Sequence, residues 1–254
     1  MSDRGAVRSI STPAQPPPEH GSAGKQRACV TAAPETSRNS PTTLTSWRGS
    51  PDFNGDGIGD IATSATTAYV SGHKGAGQVI ALYGSATGVT TAKRTTLSQN
   101  STGVPGTSEK GDNFGWEIDL GDINGDGCAD LVVSAPYEDI GSNADTGQVT
   151  VLYGSKTGID LASGAQSFAQ STAGVPGDDE KNDLFGADVK LDDVTGDGKA
   201  DLVVGSYENG GDGAVTYLPS NGSKITTTGS RALPASKLGV STTGQPQLGA
   251  VFGD

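Results

Sequence analysis

The chain is poor in the side chains from which most catalytic sites are built. Its 254 residues include two histidines, two cysteines and one methionine, and only 5% of them are aromatic. A Ser–His–Asp triad would need His73 to meet a serine and an aspartate, and the G-x-S-x-G turn that carries such a serine is missing. Cys29 and Cys128 lie in very different sequence settings and do not indicate a disulfide framework. The composition therefore predicts a protein that is not an enzyme.

Long apolar runs and helical periodicity are missing as well. The sequence has no run long enough to span a membrane, and no apolar segment follows Met1 to mark a signal peptide. From residue 52 onward no apolar stripe has helical spacing. Short β-branched runs alternate there with turns rich in Gly, Pro, Asn and Ser, which predicts an all-β fold without membrane insertion.

The charge is unevenly distributed along the chain. The net charge of −12 combines about +3 over residues 1–51 with about −15 over residues 52–254. Such an acidic repeat region argues against nucleic acid as a partner, because binding to phosphates depends on Lys and Arg. Residues 1–51 contain Pro-rich and Ser-rich stretches with few aliphatic residues, and we expect this tail to be disordered.

The most informative feature that is present is a loop of nine residues that occurs three times. It reads D-F-N-G-D-G-I-G-D, D-I-N-G-D-G-C-A-D and D-V-T-G-D-G-K-A-D, with starts 70 and 71 residues apart. Carboxylates at positions 1, 5 and 9, a polar oxygen at position 3 and a backbone carbonyl at position 7 are suited to Ca²⁺, which takes six to eight oxygen ligands. The predicted ligands are Asp52, Asn54, Asp56, Ile58 and Asp60; Asp122, Asn124, Asp126, Cys128 and Asp130; and Asp193, Thr195, Asp197, Lys199 and Asp201.

Electrostatics favours a cation in these loops. Two carboxylates about 4 Å apart repel by roughly 4 kcal/mol at an effective dielectric constant near 20. The loops are not EF-hands, because position 12 is Thr63, Val133 or Val204 instead of a bidentate Glu. The sequence therefore predicts up to three Ca²⁺ ions, each held between two strands, with the ninth-position aspartate as the first residue of the second strand.

Other segments repeat in register with the loops. G-Q-V-I-A-L-Y-G-S from Gly77 matches G-Q-V-T-V-L-Y-G-S from Gly147, and G-A-V-T-Y-L from Gly213 is a third copy. Phe-Gly pairs at 114–115 and 185–186 stand eight residues before the second and third loops. Each unit then holds about four short strands, and stacking such units radially gives a β-propeller.

These signatures resemble the FG-GAP repeats of the integrin α-subunit head and of bacterial secreted proteins. The resemblance implies a partial propeller with a first, partial blade over 52–113, a second over 114–184, a third over 185–251 and a stub of a fourth over 252–254. It also implies an extracellular location, calcium within the blades and ligands on the opposite face. Propellers close with four to eight blades, so we expect either a fragment of a longer propeller or association that completes it.

Three functions are compatible with these features. The first is a non-catalytic, calcium-binding module for adhesion to a protein ligand. The second is the accessory propeller of a hydrolase resembling glycosylphosphatidylinositol-specific phospholipase D. The third is a calcium-dependent lectin that binds glycans, which would need aromatic platforms; the candidates are Trp116, Tyr137, Tyr153, Tyr207 and Tyr217.

Overall fold

The computed structural model describes residues 50–162, 164–208 and 210–253. The predicted disordered tail, residues 1–51, lies outside the described residues except for its last two. The described chain forms eleven strands in three antiparallel sheets. The strands are β1 Ile61–Ala65, β2 Gln78–Leu82, β3 Arg94–Leu97, β4 Ile118–Gly121, β5 Asp130–Ala135, β6 Gln148–Leu152, β7 Gln166–Phe168, β8 Asp188–Asp192, β9 Asp201–Ser206, β10 Ala214–Leu218 and β11 Arg231–Pro234.

Each sheet is one blade of a partial propeller, as the sequence predicts. Blade 1 has the strand order β1-β2-β3, blade 2 has β4-β5-β6-β7, and blade 3 has β8 to β11 in the equivalent order. The described part of the chain contains a single helix, one 3₁₀ turn over Ala235–Leu238 after the last strand. The prediction of an all-β fold is therefore confirmed.

Consecutive blades pack through two equivalent faces. The trailing face of blade 2, built on the pairs Val132–Val151 and Val149–Phe168, is buried against blade 3. The leading face of a blade is formed by the alternate residues of the same strands. In blade 2 it is built on Leu131–Leu152 and packs back on blade 1. Because successive side chains of a strand point to opposite faces, one strand serves both interfaces.

The Phe-Gly pairs connect each blade to the preceding blade through hydrogen bonds and close packing. Phe114 and Phe185 are completely buried. Phe185 N donates to Thr146 O of the preceding blade at 2.8 Å, and Gly186 N donates to Gly205 O of its own blade at 2.9 Å. A Cβ on Gly147 would lie 2.2 Å from Phe185 O, so only glycine allows this close approach.

A third copy of this contact follows blade 3. Leu248 N donates to Asp212 O at 3.1 Å, and Gly213 faces the Leu248 backbone as Gly147 faces Phe185. The preceding Gln247 has a positive φ of 51°, matching Leu184 before Phe185. Leu248–Gly249 therefore occupies the Phe-Gly position, four residues before Phe252, where the predicted stub of a fourth blade begins.

Candidate metal loops

The nine-residue loops connect the first two strands of blades 2 and 3 and precede β1 in blade 1, at one edge of the three sheets. Asp130 and Asp201 are the first residues of β5 and β9, as predicted, whereas Asp60 lies one residue before β1. The glycines at positions 4 and 6 of all three loops have φ between 62° and 86°. Side-chain-bearing residues rarely adopt this left-handed conformation, which explains why both positions are glycine.

The first aspartate of each loop organises the turn by accepting backbone N–H groups. Its two carboxylate oxygens accept hydrogen bonds from residues three to five positions later. The donors are Asp56 and Gly57 to Asp52 at 3.2 and 2.7 Å, Gly125 and Gly127 to Asp122 at 2.7 and 3.0 Å, and Gly196, Asp197 and Gly198 to Asp193 at 2.7, 2.9 and 2.8 Å. The hydrogen bond from Gly198 is the main reason why the pKa of Asp193 lies below its usual value.

The residues at positions 3 and 5 continue this pattern. Asn124 Oδ1 accepts a hydrogen bond from Asp126 N at 2.9 Å, and Asp126 Oδ1 accepts one from Cys128 N at 2.8 Å. The first loop repeats both bonds, and in the third loop Asp197 Oδ1 accepts from Lys199 N at 3.0 Å. The side-chain oxygens of positions 1, 3 and 5 are therefore folded inward over the turn.

The ninth aspartate is the buried member of each loop. Asp60, Asp130 and Asp201 are 2%, 0% and 1% exposed. Asp130 Oδ2 accepts from Ile123 N and Oδ1 accepts from Gly154 N, both at 2.8 Å, so it joins the loop to the end of β6. Burial, and then the neighbouring carboxylates of Asp122 and Asp126, raise the pKa of Asp130 to about 7. Burial also raises the pKa of Asp60.

The third loop differs at this position in an informative way. Asp201 Oδ1 accepts from Ser220 N at 2.8 Å, but Val194 N donates to Asp192 O instead of to Asp201. Within the described residues, Asp201 Oδ2 is a buried oxygen without a hydrogen bond of normal geometry, and the Tyr217 hydroxyl is the side-chain donor that interacts with this carboxylate. A buried carboxylate oxygen left unsatisfied is costly, and a bound cation would satisfy it.

The three loops form a connected row. Ala129 N donates to Asp52 O at 2.8 Å, and Ala200 N donates to Asp122 O at 2.9 Å, so the second loop is hydrogen-bonded to the first and the third to the second. Cys128, predicted to offer its carbonyl, buries its thiol close to Gly55 of the first loop. Burial, more than the nearby Asp126, raises the pKa of this thiol to about 11, which makes it an inert packing group.

The donor set fits a hard cation. Across residues 50–162, 164–208 and 210–253, no three His, Cys, Asp or Glu side chains already converge on a metal position. The loop carboxylates accept backbone N–H groups instead, yet each oxygen has a second lone pair. Because the donors are carboxylate, amide and carbonyl oxygens, they suit Ca²⁺ better than metals that prefer nitrogen or sulfur. The calcium ligands remain predictions.

The opposite edge of the blades carries a cavity of about 340 Å³. It lies between the loop before β4 and the loop between β5 and β6, and it is lined mainly by Glu109, Lys110, Asp112, Tyr137, Asp139 and Asp145. Burial raises the pKa of Asp112 to about 6. Beside it, Gln99 Nε2 donates to Glu138 Oε2 at 2.6 Å across the blade boundary, and burial raises the pKa of Glu138 to about 7. Sequence reasoning missed this cluster because its members come from different blades.

One of the five aromatic residues predicted as sugar platforms is buried. Tyr153 is buried, and its hydroxyl donates to Gln166 and accepts from Ile225 N of blade 3 at 3.1 Å, so it is not a sugar platform. Trp116 and Tyr137 pack edge to face with ring centroids 5.4 Å apart. The prediction that Tyr153 is a candidate platform is therefore wrong.

Three packed antiparallel sheets, each with an acidic loop at the same edge, define a protein built from β-propeller blades. More particularly, residues 49–82 and 114–152 match the FG-GAP repeat family. The chain therefore contains FG-GAP repeats, as the Phe-Gly pairs and acidic loops predict. Blade 3 has the same strand order and the same loop.

Comparison with characterised proteins finds similarity to chains of two kinds, phospholipases D and an integrin alpha chain. The chain is 28% identical over 172 residues to a phosphatidylinositol-glycan-specific phospholipase D of Dictyostelium discoideum, covering 65% of this chain and 18% of that protein. It is 30% identical over 167 residues to the enzyme of the same name from Bos taurus, covering 65% and 19%. It is 33% identical over 111 residues to integrin alpha-PS5 of Drosophila melanogaster, covering 43% and 10%. The chain thus spans less than a fifth of each of these relatives.

Within the described residues, no helix has the length and apolar character needed to cross a membrane.

Proposed function

We propose that the chain is a calcium-stabilised, non-catalytic propeller module that presents its opposite edge to a ligand outside the cell. The observation that carries this proposal is the buried ninth aspartate of each loop. Asp130 is fully buried beside the carboxylates of Asp122 and Asp126, and Asp201 has a buried oxygen without a hydrogen bond of normal geometry. Both features are unfavourable for an empty loop and favourable for a loop that holds Ca²⁺.

Calcium would act mainly on the architecture. Asp130 ties its loop to the end of β6, and Ala129 N ties the same loop to Asp52 O of the preceding blade. A cation held by Asp122, Asp126 and Asp130 would therefore stiffen one blade and its neighbour together. At a free concentration ten times the dissociation constant, one site stabilises the folded state by about 1.4 kcal/mol.

Thermal unfolding tests the calcium proposal. We expect protein stripped with EGTA to melt at a lower temperature than protein in millimolar Ca²⁺. Mg²⁺ should restore little of the difference, because it prefers a small octahedral site with several waters. An unchanged melting temperature in EGTA and in Ca²⁺ would contradict the proposal.

The likeness to the integrin chain and the proposed calcium binding support an extracellular ligand-binding role. Calcium sites of extracellular modules bind with dissociation constants of about 10⁻⁴ to 10⁻³ M. Protein or glycan ligands are both compatible with this role. A glycan array and a panel of extracellular proteins, both probed with the calcium-loaded chain, distinguish them, and the absence of binding to either would contradict the role.

A second candidate is the accessory propeller of a phospholipase. Its support is the similarity to two phospholipases D over 65% of the chain. We expect this chain alone to release no glycosylphosphatidylinositol-anchored protein from membranes, because its repeats supply binding and not catalysis. Release by the purified chain would contradict the non-catalytic assignment and favour an enzyme.

A further inference from the structure

The chain contains four Asn-Gly pairs, and the structure describes both residues of three of them: Asn54–Gly55, Asn124–Gly125 and Asn221–Gly222. In such a pair the glycine nitrogen can attack the asparagine side-chain carbonyl, because glycine has no Cβ to hinder the approach. The first two pairs stand at positions 3 and 4 of the first and second loops, in the nearly identical sequences F-N-G-D-G and I-N-G-D-G. The structure nevertheless surrounds their reacting atoms differently.

The carbonyl that would be attacked is held in the same way in both loops. Asp56 N donates to Asn54 Oδ1 at 3.0 Å, and Asp126 N donates to Asn124 Oδ1 at 2.9 Å. Each bond folds the asparagine side chain back over the peptide that follows it. It also places a donor where negative charge develops on Oδ1 during the attack. The asparagine side chain is therefore positioned for reaction in both loops.

In two of the three pairs the attacking nitrogen is occupied by a hydrogen bond. Gly125 N donates to Asp122 Oδ1 at 2.7 Å. Gly222 N donates to Ser220 Oγ at 2.9 Å. Such a bond must be broken before the nitrogen can attack, and a bond to a charged acceptor such as Asp122 is the stronger kind. The structure therefore protects both of these pairs.

Among the residues that the structure describes, the nitrogen of Gly55 has no such bond. The Asp52 carboxylate accepts hydrogen bonds from the two residues after Gly55 instead, at 3.2 and 2.7 Å. Lys156 Nζ extends from blade 2 and lies so close to Gly55 that a Cβ there would collide with it. An ammonium group in this position stabilises the negative charge that develops during the attack. Asn54 is 7% exposed, and Gly55 is partly open to the water that the reaction needs.

We infer that Asn54–Gly55 is a site of spontaneous deamidation in the folded protein. Gly55 N forms a bond to Asn54 Cγ and gives its proton to solvent base. The bond between Cγ and Nδ2 breaks, ammonia leaves with a proton from solvent, and a succinimide ring remains. Water then opens the ring at either carbonyl, which gives aspartate or isoaspartate. The reaction needs water but no oxidant, reductant or enzyme.

The consequence for the metal rests on the proposed function, because Asn54 is a predicted calcium ligand. In isoaspartate the main chain runs through the former side chain, so the loop gains a methylene group between positions 3 and 4. We expect the first loop to lose its ion as the protein ages. The third loop has Thr195 at position 3 and does not react in this way. The modification itself does not depend on calcium.

Peptide mapping by mass spectrometry tests the inference on the full chain, incubated in EGTA at mildly alkaline pH. The three asparagines fall in separate tryptic peptides. In the folded protein we expect Asn54 to be converted at least about tenfold faster than Asn124, which corresponds to about 1.4 kcal/mol of activation free energy. In protein unfolded in urea the two should react at similar rates, because their neighbours in sequence are nearly the same.

Two variants should change the rates in opposite directions. Lys156→Gln removes the ammonium group and should slow the reaction at Asn54. Ser220→Ala removes the acceptor of the third pair and should accelerate the reaction at Asn221. The inference is overturned if Asn54 of the folded wild type reacts no faster than its counterpart in the second loop, or if neither variant changes a rate. Conversion of Asn54 without loss of a bound ion would support the modification and contradict the proposed calcium site of the first loop.

Discussion

Two aspartates of the second loop are expected to respond differently to the same substitution. Asp130 is buried and accepts hydrogen bonds from Ile123 N and Gly154 N at 2.8 Å each. Asp126 is exposed and accepts from Cys128 N within its own loop. In Asp130→Asn one side-chain oxygen becomes an NH₂ group, so either Ile123 N–H or Gly154 N–H loses its acceptor. In Asp126→Asn the remaining side-chain oxygen can still accept the hydrogen bond from Cys128 N.

The magnitudes follow from these partners. Leaving a buried donor unsatisfied costs about 1–3 kcal/mol, so Asp130→Asn should lower the free energy of unfolding by about that amount in EGTA. Asp126→Asn should change it by less than about 0.5 kcal/mol, as surface substitutions usually do. In Ca²⁺ both variants should lose the stabilisation that one bound ion provides. This stabilisation is about 1.4 kcal/mol when the free Ca²⁺ concentration is ten times the dissociation constant.

Urea unfolding in EGTA and in Ca²⁺, followed by circular dichroism, measures both effects. Equal stability of the two variants in EGTA would refute the structural role assigned to Asp130. An undiminished calcium increment in Asp126→Asn would refute its role as a ligand.

Three further predictions concern the contacts between blades. Burial raises the pKa of Glu138 to about 7, so the stability that this group contributes is complete below pH 4.5 and is lost as the pH rises through 7. The melting temperature in EGTA should therefore fall between pH 5 and 8, and it should fall less in Glu138→Gln. Gly147→Ala should lower the free energy of unfolding by more than about 3 kcal/mol, because its Cβ would meet the Phe185 carbonyl. Gly141 has a positive φ but open space around it, so Gly141→Ala should lower this free energy by only about 1–2 kcal/mol. Equal urea midpoints for the two variants would contradict this prediction. Tyr153→Phe removes the acceptor for Ile225 N and should destabilise the protein by about 1–3 kcal/mol in urea unfolding, and a neutral result would contradict the role of this bond.

The repeat pattern was sufficient to predict the blades. Loop positions, β-branched runs and turn residues are local, so β5, β6, β9 and β10 lie where the repeated segments indicate. The Phe-Gly position after blade 3 was harder, because Leu248 does not resemble Phe. It is recognised by a long-range contact with Gly213 and by the positive φ of Gln247, and neither can be read from sequence spacing.

The candidate site was only partly predictable, for a related reason. The oxygen donors of each loop follow from its nine residues, but the partners of Asp130 lie in part 24 residues away, at Gly154. The cluster around Glu138 and the burial of Tyr153 depend on neighbouring blades. Features within one loop were visible in the sequence, and features made by the packing of blades were not.

The central claim is that the acidic loops hold calcium, and counting bound ions tests it most directly. Native mass spectrometry or isothermal titration calorimetry on EGTA-stripped protein should find three Ca²⁺ ions per chain, and two in Asp126→Asn. The claim would be contradicted if the protein bound no Ca²⁺ ion at a saturating Ca²⁺ concentration. It would also be contradicted if the wild type and Asp126→Asn bound the same number of ions.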